Sequence, residues 1–183
     1  MMGDQGLPSH LESYLGTIKA GWKFDHFQVV EYGKPMFGGR AFSTLGLSRY
    51  ALKSPVSNKD IKQELLMILP ESVKTKDATT LLDRVGEQVL QHSVPLLRGD
   101  VVVSKGAVLP RTRMEGLYVA APVYLPDEFA SYSGREGKIA IAWLVPIASA
   151  EAALVNDKGW SAFEDVLANA DPDLVDVRRP PIV

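Results

Sequence analysis

The chain has 183 residues, 46% of them hydrophobic and 23% charged, which suits one domain with a real core and excludes a disordered or fibrous protein. A formal charge of −2 supplies no general field for phosphate backbones, so nucleic acid is not an expected partner. Cysteine is absent, which removes disulfides, thiolate metal sites and a cysteine nucleophile together.

The N-terminus lacks the basic-then-apolar pattern of a secretory signal. The longest apolar run, Ile139 to Ala150, is too short for the ~20 residues a membrane helix needs. A soluble cytoplasmic protein without membrane contact is expected.

Residues 1–8 read as a loose terminus, and one domain is expected over 9–183. Ser9, with Glu12 three residues on, predicts a capped helix whose apolar face is Leu11, Leu15 and Ile18. His10 near its start reads as a surface residue. Phe24 to Tyr32 and Arg40 to Tyr50 predict strands joined by a glycine-rich turn with a solvated Arg40. Gly38-Gly39-Arg40 lacks the spacing of a phosphate loop. Asp60 to Leu69 predicts a central strand, and Asp77 caps a helix to about Gln91, with Leu81, Leu82, Val85 and Val89 at helical spacing.

Val101 to Ser104 predicts a strand. Leu117 to Leu125 predicts another, interrupted by Pro122, which cannot donate to a ladder. Pro126 to Gly137 is a polar loop before Lys138 to Ile147, KIAIAWLVPI, whose uncharged interior predicts a strand buried on both faces. Helices follow over Ser149 to Asn156 and Gly159 to Asn169, the second with Trp160, Phe163, Val166 and Leu167 as its core stripe. A last strand is predicted over Leu174 to Val177. The fold class is α+β.

The chemistry-bearing residues form no familiar catalytic motif. His10, His26 and His92 are far apart and none has zinc-ligand spacing, so no metal or cofactor is expected. Glu64, Asp127, Glu128 and Glu151 flank apolar runs, which leaves a hydrolytic carboxylate pair as an alternative, and a self-assembling domain as another. Glu151, in the first turn of its helix, reads as a dipole-favoured acid or as a buried acid contacting a partner or an arginine. Arg178-Arg179 is expected to pair with Asp173 or Asp176.

The order of segments carries more. TLGLS at Thr44 to Ser48, QELLMILP at Gln63 to Pro70, RGDVV at Arg98 to Val102, the block from Trp143 to Leu167 and DLVDVRRP at Asp173 to Pro180 together resemble the suppressor-of-fused family. Most specific are LVPI…E…G…L and the closing D-x-RR. The resemblance implies a curved mixed sheet flanked by helices, used for binding another protein without catalysis. A chain without the second domain of the animal members is expected, resembling the stand-alone bacterial members, several thought to be immunity proteins that neutralise toxins by occluding their active sites. The expected partner-binding surface lies where the strand carrying Glu64 meets the loop Pro126 to Gly137. It comprises Glu64, Asp127 and Glu128, with Tyr124 and Tyr132 as aromatic anchors.

Overall fold

The computed structural model describes residues 6–183. Its strands are β1 (Ile18–Lys23), β2 (Gln28–Tyr32), β3 (Gly39–Leu45), β4 (Leu52–Lys53), β5 (Asp60–Pro70), β6 (Val101–Val103), β7 (Met114–Ala120), β8 (Ser131–Gly134) and β9 (Gly137–Ala148). Its helices are α1 (Gly6–Leu15), α2 (Thr75–His92), α3 (Ser149–Lys158) and α4 (Trp160–Ala170), with 3₁₀ turns at Leu47–Arg49 and Asp127–Ala130.

The strands form one mixed sheet in the order β1-β2-β3-β5-β9-β7-β6, with β4 added to β5 and β8 to β9. Only β5 and β9 run parallel, from Lys62 opposite Ile139 to Leu66 opposite Trp143. These two strands are the near-continuous apolar runs of the sequence, and they occupy the sheet's centre because only there are both faces covered. Pro146 lies past Trp143, the last residue of β9 that pairs with β5, so its missing N–H breaks no ladder bond on that side.

Alternation along the strands divides the core into two layers. Ile141, Trp143, Val145 and Ile147 of β9 pack with Leu11 and Leu15 of α1, Val155 of α3 and Phe163 of α4. Ala142 and Leu144 face the other way, against Leu81, Leu82 and Val85 of α2. An α+β domain with a mixed sheet between helices is therefore observed, as expected.

Several local expectations change. α1 begins at Gly6, so Gly6 to Pro8 are helical; residues 1–5 of the expected loose terminus lie outside the described residues. Ser9 is inside the helix, and Glu12 Oε1 instead accepts a 2.8 Å bond from the Ile18 amide. The helix stops at Leu15 because Gly16 turns with φ 83, where a Cβ would sit 2.7 Å from the Lys34 backbone nitrogen. Ile18 thus opens β1, a strand the helical reading covered over.

Arg40 is not solvated: Nη1 donates to Glu31 Oε1 at 3.2 Å and Thr75 Oγ1 at 2.9 Å, and Nη2 to the Val73 carbonyl at 2.5 Å. β7 ends at Ala120, before Pro122. Trp160 is 42% exposed and leaves Phe163 as the fully buried residue of α4. The segment from Leu174 to Val177 is a pair of turns rather than a strand, placing Val175 in one apolar layer and Val177 in the other.

Candidate functional site

Glu64 is fully buried, which corrects its expected place on a binding surface. The β3–β5 ladder ends at Ser43 opposite Leu66, and β3 then swings away through Gly46 with φ 107. The carboxylate of Glu64 fills the gap. Its Oε2 accepts from Thr44 Oγ1 at 2.6 Å, and its Oε1 accepts from the Gly46 amide at 2.9 Å, the Ser48 amide at 3.1 Å and Ser48 Oγ at 2.7 Å. Thr44 Oγ1 also accepts from the Leu65 amide at 2.8 Å, replacing a ladder bond. A buried carboxylate is tolerated here because both of its oxygens accept hydrogen bonds, four in all.

A groove of about 390 Å³ does lie between this loop and the β8–β9 hairpin. Gly46 and Ser48 line it on one side, and Tyr132, Arg135 and Glu136 on the other. Tyr132 is half-buried, its ring 5.4 Å from that of His10. His10 is not a plain surface residue: it stacks on Phe129 at 6.0 Å and its Nε2 lies 3.2 Å from the Phe129 carbonyl oxygen. Asp127 and Glu128 are exposed on the 3₁₀ turn that carries Phe129. The hairpin replaces most of the loop expected over Pro126 to Gly137.

Tyr124 belongs to a different groove, of about 270 Å³, between the end of β7, α4 and the C-terminal segment. Its ring packs 4.9 Å from Trp143 and 4.9 Å from Phe37. Its hydroxyl donates to the Pro172 carbonyl at 3.4 Å and accepts from the Leu174 amide at 3.2 Å. Tyr124 and Tyr132 therefore do not form a common pair of anchors. Sequence reasoning missed Phe37 and Val123 beside this groove, which are 48% and 69% exposed. The available signal was an aromatic residue inside a glycine-rich turn.

At the other end of this groove Arg98 holds Glu164 with Nε at 3.0 Å from Oε1 and Nη2 on Oε2, while Tyr118 donates to Oε1 at 2.8 Å. The bond to Arg98 holds the Glu164 carboxyl below its ordinary value, against the opposing effect of desolvation, and the Tyr118 bond adds to the lowering. Burial, followed by the bond to Glu164, pushes the Tyr118 phenol up. Arg98 also lies 4.8 Å over the exposed ring of Trp160.

Glu151 takes the buried-acid reading. Arg179, not Arg178, pairs with it at 2.6 and 3.1 Å, and the expected partners Asp173 and Asp176 take no part. Glu151 also accepts from the Ala148 amide at 2.8 Å and the Ile182 amide at 3.2 Å. Asp176 Oδ1 instead accepts from the Arg178 amide at 2.8 Å.

The four carboxylates considered for hydrolysis do not converge: Glu64 and Glu151 are sealed with separate partners, and Asp127 and Glu128 face solvent. Among the described residues no three His, Cys, Asp or Glu are grouped to hold a metal ion, and no helix is long and apolar enough to cross a membrane.

The family model described as suppressor of fused protein matches residues 23–180. No curated protein matches the sequence significantly. Among solved structures, a suppressor of fused homologue from Neisseria gonorrhoeae FA 1090 aligns with TM-score 0.76 at 17% identity, covering 96% of this chain and 93% of that one. A chain of the Sufu–Fu complex aligns with TM-score 0.73 at 14% identity, over 96% and 90%. Drosophila Suppressor of Fused aligns with TM-score 0.64 at 16% identity, over 86% of this chain but only 43% of its own. At these identities the structural likeness concerns the fold, while the family follows from the sequence match. The chain belongs to the suppressor of fused family.

Proposed function

We propose that this protein is a non-enzymatic binding domain that acts by stoichiometric association with another protein. The observation that carries the reading is the family match over residues 23–180, joined by the fold's likeness to a chain of the Sufu–Fu complex. Its geometry suits such a role: two open grooves flank the β8–β9 hairpin and α4, each with an aromatic side chain, and the buried carboxylates are occupied in holding the fold.

The finer reading is a bacterial immunity protein working in the cytoplasm, where it would occlude the active site of a toxin. The likeness in fold to a gonococcal homologue, aligned over 96% and 93% of the two chains, is what supports the bacterial part of this reading. Tyr124, Asp127, Glu128 and Tyr132 remain the proposed contact residues, Tyr124 in one groove, Tyr132 in the other and Asp127 and Glu128 on the exposed turn beside Phe129, with Glu64 withdrawn from the set. Co-expression with a toxin encoded beside the gene tests the finer reading. Rescue of growth is expected, and unrelieved toxicity with both proteins produced in folded form would refute the immunity role.

A further inference from the structure

The groove beside Tyr124 is floored by Ala120, Trp143, Leu167 and Leu174, and its rim leaves Val123 and Phe37 exposed at 69% and 48%. Phe37 holds φ 50, a left-handed conformation that bulky side chains rarely adopt, and such strain persists where the surrounding structure or a binding role fixes it. At about 270 Å³ the groove lies just under the range of about 300–1,000 Å³ typical of small-molecule sites. It has room for an inserted apolar side chain.

Of the charged residues that line the groove, Arg98 and Glu164 pair with each other and Asp171 has no ion pair among the described residues, and the segment leading to it is acidic. Residues 157–176 carry Asp157, Glu164, Asp165, Asp171, Asp173 and Asp176 against Lys158 alone, a formal −5 in a chain whose total is −2. Among the described residues only Glu164 of these six makes an ion pair, with Arg98. Asp171 lines the groove, and Asp165 stands one helical turn before Ala168, which also lines it. Unneutralised acids beside an exposed apolar groove favour a partner of opposite charge, in approach and in register.

Building on the protein-binding reading, we infer that this groove receives an apolar side chain presented by a cationic, Lys/Arg-rich segment of the partner. The segment's basic residues face Asp165, Asp171 and Asp173, and its apolar residue meets Val123, Trp143 and Leu167.

Amide-resolved NMR titration of the full chain with three synthetic 12-residue peptides tests this. One peptide is Lys/Arg-rich with a single central Phe, the second has that Phe replaced by Ser, and the third has the basic residues replaced by Glu. The first is expected to move the Ala121, Leu167 and Asp171 amides, with at least about tenfold weaker binding for the other two. The double variant Asp165→Asn/Asp171→Asn should weaken the first peptide about two- to tenfold. Asn tolerates the left-handed φ 43 of Asp171, and the same spectra report whether the fold is intact. Groove amides that stay still, or equal binding of the Glu peptide, overturn the inference. A native partner that perturbs only the groove at Arg135 would overturn it while leaving the protein-binding reading in place. Failure to find any native partner would bear on that reading alone.

Discussion

Arg179 grips Glu151 at two points, 2.6 and 3.1 Å, with the two side chains 4% and 0% exposed. The pair ties the start of α3 to the C-terminal segment, and Arg179 Nη2 also reaches the Pro146 carbonyl at 3.4 Å. LVPI…E and D-x-RR, the stretches on which the resemblance to the family rests most, thus hold the two halves of one internal clasp.

Breaking that clasp from one side strands a buried charge. Arg179→Met should destabilise the protein by about 3–5 kcal/mol in urea unfolding, and Glu151→Gln should cost a large part of that. The double variant Glu151→Leu/Arg179→Met should recover some of the loss but not all, since the Ala148 and Ile182 amides remain unmet. A single-variant cost below about 0.5 kcal/mol, the scale of a surface pair, would refute the clasp.

Glu64 should behave as a structural residue in the same assay. Glu64→Leu leaves the Gly46 and Ser48 amides and the Thr44 hydroxyl without their acceptor, at a cost of about 3 kcal/mol or more. Asp127→Asn and Glu128→Gln, on an exposed turn, should leave unfolding unchanged within about 0.5 kcal/mol.

Gly86→Ala reverses the usual helix rule. Alanine normally favours a helix interior by about 0.5–1 kcal/mol over glycine. Here the added Cβ would lie 2.3 Å from Phe27 Cζ, in the layer beneath α2. A net loss of about 1–3 kcal/mol is expected on denaturant unfolding.

Two charge pairs respond to pH in opposite directions. Glu87 raises the His26 pKa above 6.5, chiefly through a hydrogen bond of 2.8 Å. That contribution to stability is complete below pH 6.5 and fades as pH rises through the folded value. The Glu164 pKa is lowered from 4.5, so its contribution is present above pH 4.5 and lost as pH falls through the lower folded value. NMR titration should show His26 moving back toward 6.5 in Glu87→Gln, and Glu164 rising in Arg98→Gln.

How much of this was legible follows from what each signal encodes. β5 and β9 announced themselves because a strand covered on both faces must be apolar throughout. α2 did so through its helical spacing of Leu81, Leu82, Val85 and Val89. β1 was hidden, since Ile18 continues the spacing of Leu11 and Leu15 and only the Lys34 backbone, distant in sequence, explains the stop at Gly16. The groove beside Tyr124 was hidden for the same reason. Glu64, with polar residues before it, reads as surface until the departure of β3 places Thr44, Gly46 and Ser48 around its carboxylate. Tyr124 and Tyr132 read as one pair, yet they end in separate grooves.

The central claim, that the chain works by stoichiometric binding of another protein, is tested most directly by affinity capture from the native host with the full chain, followed by light scattering of the recovered complex. A single protein at fixed stoichiometry is predicted, with an interface of about 1,200–2,000 Å² of total burial and loss of capture on substitution of groove residues such as Val123→Asp. Repeated captures that enrich no protein over a control bait would contradict it.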